Sequence, residues 1–165
     1  MILKLAEELI WVVFIIIGFS ILFNLNRKAI PTTCLLGIVG YIVRFLFIQF
    51  HWGNIVLGSF FGSITIGILA ISIAHKLRTL PLIFAVCSLI PMVPGYFAYN
   101  ALILSIKLIN QTDLTSNLTE LYLIQASVNA IKASLIFLGI SVGLFIPIMT
   151  YKTFICNNKL SRHYD

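Results

Sequence analysis

Five apolar runs, each long enough to cross a lipid bilayer, leave this chain few ways to fold. They extend from Leu9 to Leu25, Thr32 to Phe50, Ile55 to Ala74, Leu82 to Ile109 and Leu121 to Tyr151. A helix needs about 20 mostly apolar residues to span the hydrocarbon core. Only 10% of the 165 residues are charged and the mean hydropathy is +1.06. A soluble domain keeps roughly 25% charged residues because its surface faces water, and this chain cannot cover such a surface. The runs are also far longer than the ~10-residue alternating strands of an outer-membrane barrel. The expectation is an all-α integral membrane protein with five transmembrane helices. It forms a single transmembrane domain over residues 1–165, since no polar stretch is long enough for a second one.

The net charge of +6 comes from basic residues scattered singly or in pairs between the apolar runs. No basic patch with interleaved aromatics points to nucleic acid. Instead the charges read as a topology signal. Arg27 and Lys28 lie in the first loop, Lys76 and Arg78 in the third, and Lys152, Lys159 and Arg162 in the tail. The second loop, around His51 to Asn54, has no Lys or Arg, and the fourth holds Asp113 and Glu120. Basic and non-basic loops alternate, so the positive-inside rule places the N-terminus outside and the C-terminus in the cytoplasm. Lys4 is the one dissenting charge. Glu7 and Glu8 spoil the basic start of a signal peptide and no A-x-A-like site follows, so the first run reads as a retained span.

Cys34, Cys87 and Cys156 match no metal spacing and read as small packing residues. Asn110-Gln111-Thr112 and Asn117-Leu118-Thr119 fit a glycosylation pattern that chance also produces in a polar loop. The three histidines sit at loop ends or in the tail. No metalloprotease, nucleophile-elbow or P-loop motif is present, which argues against an enzyme, and no cofactor motif is found. No Asp or Glu lies deep in a span, so the usual proton-relay carboxylate is missing. Five helices with no internal repeat resemble half of a transporter, because transporters are commonly built from two related halves.

The fourth run contains an obstacle. "LIPMVPGYFAYN", residues 89–100, places two prolines and a glycine within five positions. An interior proline removes a backbone donor and clashes with the preceding turn, so a helix interrupted at Pro91–Gly95 is expected. Irregular backbone at membrane depth is tolerated where it is buried in protein or lines a cavity. The half-helix beginning near Tyr96 would turn its positive dipole end into the break, which suits a carboxylate. Pro31 and Pro81 suit helix starts. Counting from them at ~1.5 Å per residue puts the break ~15–21 Å deep and Arg44 ~20 Å deep. Arginine at that depth faces a protein interior or a watery cavity. Arg44 is then either a structural arginine bonded to carbonyls of a neighbouring helix or a bidentate clamp for a ligand carboxylate. Lys107 and Lys132 both count out near the outer surface, where snorkelling explains them. Gly37, Gly40, Gly58-Ser59 and Gly62-Ser63 would let helix backbones approach closely.

"LLGIVGYIVR" (Leu35 to Arg44), "LIPMVPGYFAYNALILSIKL" (Leu89 to Leu108) and "GISVGLFIP" (Gly139 to Pro147) resemble the small subunit of the threonine/serine exporter family. In that family one long chain, or a large and a small protein together, forms an inner-membrane exporter. Members are associated with threonine and serine, and the split form with the dicarboxylate succinate. The resemblance implies a secondary exporter subunit that acts with a larger membrane partner in the bacterial inner membrane. It carries Arg44, Pro91, Pro94, Gly95 and Lys107 over as pathway candidates, and Tyr99 and Asn100 beside the break complete the proposed substrate-binding set. Lys132 matches no position of the pattern. The alternative is a non-transporting scaffold that stabilises a partner transporter.

Overall fold

The structure is a computed structural model and describes residues 2–49, 54–77, 81–110 and 117–161. Within them every regular element is helical: α1 (Ile2–Leu22), α2 (Ile30–Gln49), α3 (Ile55–Leu77), α4 (Pro81–Leu89), a 3₁₀ turn (Ile90–Met92), α5 (Gly95–Ile109) and α6 (Asn117–Ser161). Four helices are long and apolar enough to cross a membrane, or five if α4 and α5 count as one broken span. His51, Arg78, Asp113, Arg162 and the triplet residues Gln111 and Thr112 lie outside the described residues. So do the side chains of Lys4, Lys76, Lys152 and Lys159.

Local chemistry sets the helix ends. Asn24 adopts a positive φ of 53° just past α1. Its N–H reaches the Ile21 carbonyl at 3.0 Å, and the Leu25 N–H reaches the Ser20 carbonyl at 2.9 Å. These are the two reverse bonds of a Schellman stop, with Asn in the left-handed position that glycine usually takes. α1 therefore ends at Leu22, before the Leu25 expected from hydropathy, and it begins early enough to include Glu7 and Glu8. Pro31 lies in the first turn of α2 and Pro81 opens α4. N–H groups in the first turn have no intrahelical acceptor, so proline costs little there.

The chain divides into two compact units. One comprises residues 1–92 and 139–165, the other Val93–Leu138. In the first unit α2 crosses α3 at glycines. A Cβ on Gly62 would lie 2.9 Å from the Gly40 carbonyl oxygen, and one on Gly40 would run into Ile66. Backbone meets backbone there, as the spacing of small residues predicts. Ser59 and Ser63 are buried in the same seam and return their hydroxyls to the Ile55 and Phe60 carbonyls. α4 joins α2 through Ser88, whose hydroxyl lies 3.0 Å from the Thr33 carbonyl and 2.8 Å from that of Phe84. On the other flank, Val12 and Ile16 of α1 pack with Cys34. The C-terminal part of α6 carries an interior proline, Pro147. Its ring is received at Gly67, where a Cβ would stand 2.5 Å from Pro147 Cγ.

The second unit holds α5 and the first part of α6. Lys107 lies 5.9 Å from the Tyr122 ring centroid, and Lys132 lies 5.9 Å from that of Phe97. Moving from Phe97 to Lys107 advances along α5 by as many residues as moving from Lys132 back to Tyr122. The two helices therefore run antiparallel at a fixed register. No residue of α5 is buried.

Candidate functional site

Two prolines make the break. Pro91 removes one backbone donor and Pro94 a second, so α4 tightens into the 3₁₀ turn Ile90–Met92 and stops. Pro94 is buried and caps α5 with φ −78° and ψ 54°, without a side-chain hydrogen bond to the helix end. The first helical bond of α5 runs from the Ala98 N–H to the Pro94 carbonyl at 3.1 Å. The N–H groups of Tyr96 and Phe97 take no backbone acceptor among the described residues. This end of α5 is open, as helix starts are unless something caps them.

Gly95 follows with its N–H on the Val93 carbonyl at 2.8 Å. It is exposed, a Cβ there would meet nothing within 4 Å, and its φ lies outside the left-handed range. Neither backbone conformation nor close protein packing within the chain requires a glycine at this position.

Arg44 belongs to the first unit and is half-buried on α2. Its Nη1 donates to the Met92 carbonyl oxygen at 2.8 Å. Met92 ends the 3₁₀ turn, where the interrupted helix leaves a carbonyl without its usual donor. Depth counting from sequence thus brought the right two features to one level, and the structure joins them through a backbone acceptor. The bond uses one donor of the guanidinium fork and leaves the others without a hydrogen bond among the described residues.

Tyr99, Asn100 and Lys107 all lie on α5. Tyr99 is exposed. Asn100 and Lys107 are seven positions apart, so they share a face. That face is the one turned to α6, since Lys107 meets Tyr122. Lys132 is not level with Lys107, as counting suggested. The register puts it beside Phe97 near the start of α5, about 15 Å from Lys107 along the hairpin.

Sequence reasoning missed Tyr41 and Glu8. The Tyr41 hydroxyl donates to Glu8 Oε2 at 3.1 Å, which ties α2 to α1 one turn before Arg44. Glu8 precedes the span that hydropathy marks from Leu9, but in the structure it falls within the apolar stretch Leu5–Leu22. The available signal was a charge pair inside an otherwise unbroken apolar run. Among the described residues no cluster of three or more His, Cys, Asp or Glu could hold a metal. A groove of about 390 Å³ lined by Ile68, Ile71, Ser72, Pro147, Thr150 and Tyr151 includes none of the candidate substrate residues.

Comparison with known proteins gives this geometry a context. The family described as "Threonine/Serine exporter, ThrE" matches residues 8–150. An uncharacterized protein of Haemophilus influenzae is 31% identical over 106 residues, which is 64% of this chain and 35% of that relative. The aligned stretch thus spans about a third of the relative's length. No solved structure matches the chain.

Proposed function

Because the chain belongs to the threonine/serine exporter family, we propose that it is a subunit of a bacterial inner-membrane secondary exporter for small carboxylates or amino acids. Threonine, serine and succinate are the candidate substrates, and the chain, as a single membrane domain, acts with a larger membrane subunit and is not an enzyme. Alternation of basic and non-basic loops supports an outside N-terminus and a cytoplasmic C-terminus.

The observation that carries this proposal is the bond between Arg44 and the Met92 carbonyl at the broken helix. A charged side chain within an apolar helix is expensive and normally marks a polar path or a structural bond. Here one donor supports the break, and the remaining donors, which make no hydrogen bond among the described residues, suit a carboxylate. Substrate binds at the interrupted span, with Arg44, Pro91, Pro94, Gly95, Tyr99, Asn100 and Lys107 as the candidate contacts. Access alternates as this half rocks against its partner.

The test is efflux of labelled threonine, serine and succinate from cells producing the chain with its larger subunit. Wild type and Arg44→Gln are compared at matched abundance. Loss of efflux with the complex still assembled is the expected result. Unchanged efflux of all three would remove Arg44 from the path, and altered assembly alone would favour the scaffold role.

A further inference from the structure

Glu8 lies inside an apolar helix, and a carboxylate there needs protein or a polar space to hold it. Its Oε2 accepts the Tyr41 hydroxyl at 3.1 Å. The other oxygen has no hydrogen bond among the described residues, and the side chain is exposed. Tyr41 and Arg44 are three positions apart on α2 and so share a face. The Tyr41 bond therefore brings Glu8 to the helix face that carries Arg44. Even so, no ion pair joins Glu8 to Arg44 among the described residues. Two opposite charges thus stand on neighbouring helices of one unit, a phenol holds one of them, and each keeps unused hydrogen-bonding capacity.

Such an arrangement fits a ligand that carries both charges. A free α-amino acid presents a carboxylate for the guanidinium and an ammonium for the carboxylate. A dicarboxylate presents a second anion to Glu8, and like charges brought together are strongly disfavoured. We propose that Glu8 is a specificity-determining residue: its free oxygen receives the ammonium of a zwitterionic amino acid whose carboxylate goes to Arg44, and it turns dicarboxylates away. Tyr41 is the positioning residue that fixes the carboxylate. This inference rests on the exporter function proposed above and narrows its substrate class.

The experiment measures the ratio of labelled threonine efflux to labelled succinate efflux, using the full chain with its larger subunit. Wild type, Glu8→Gln, Glu8→Asp and Tyr41→Phe are compared at matched abundance. A merely structural defect lowers both fluxes together and leaves the ratio in place. Glu8→Gln is expected to lower the ratio by about 10- to 100-fold, the range for one hydrogen bond to a charged group. Glu8→Asp keeps most of the preference, and Tyr41→Phe lowers the ratio several-fold. If Glu8→Gln does not accumulate, Tyr41→Phe decides, because it keeps the charge and removes only the bond that positions it. An unchanged ratio in the deciding variant overturns the role of Glu8 while leaving the exporter function standing. A wild type that prefers succinate overturns it as well. A wild type that moves neither substrate removes the exporter function and the Glu8 inference together.

Discussion

Arg44 and Lys132 are both cations carried in apolar helices, and the two units of this protein hold them in different ways. Arg44 is half-buried and gives a hydrogen bond to a backbone carbonyl at a helix break. Around it the helices meet at glycines, with backbone against backbone at Gly40 and Gly62. Lys132 and its counterpart Lys107 are exposed and lie over aromatic rings on an antiparallel hairpin, where α5 buries none of its residues. At Gly40 and Gly62 the first unit leaves no room for an added Cβ. The second joins its two helices through these side-chain contacts and buries no residue of α5. The chain passes from one to the other between Met92 and Val93, at the break itself.

Four substitutions would break or sharpen this contrast. The largest effect is expected for Gly62→Val, because its Cβ alone would stand 2.9 Å from the Gly40 carbonyl oxygen. A loss of about 3 kcal/mol follows from overpacking at a backbone contact, measured by unfolding in mixed micelles. A change below 1 kcal/mol would mean that the seam yields. Arg44→Leu removes the donor to the Met92 carbonyl and should cost about 1–3 kcal/mol, the range for leaving a buried acceptor unsatisfied. The same unfolding assay reads it, and no loss would show that the break is supported by other means.

Lys132→Ala should cost about 0.5–1 kcal/mol, the value of an exposed cation–π contact. If the loss reaches that of Arg44→Leu, the two units do not differ as described. Gly95→Ala should change stability by less than about 0.5 kcal/mol, since its Cβ meets nothing within 4 Å and alanine suits a helix. Its value lies in transport. Efflux lost at unchanged stability would indicate that substrate approaches the backbone at Gly95, a constraint the folded chain alone does not impose.

Much of this was legible in the order of residues. Runs of about 20 apolar residues fix helices because every backbone polar group in hydrocarbon must be satisfied within its own segment. Pro91 and Pro94 fix the interruption because proline has no N–H to give. The small residues at Gly40, Gly58 and Gly62 announce close helix contacts, since only their size lets backbones meet. These properties are local, and the structure carries each of them at the expected place.

Tertiary structure decided the partners. Depth counting could bring Arg44 level with the break but could not say which atom it would bond, and that atom is the Met92 carbonyl. The Schellman stop at Asn24 moved the end of α1 back to Leu22, and an early start brought Glu8 into the helix. Tyr41 meets that carboxylate across 33 positions of sequence. Lys132 reaches Phe97 only because α5 and α6 run antiparallel at one register. A charge carries its cost in its own position, but what it pairs with depends on how helices distant in sequence turn their faces to one another.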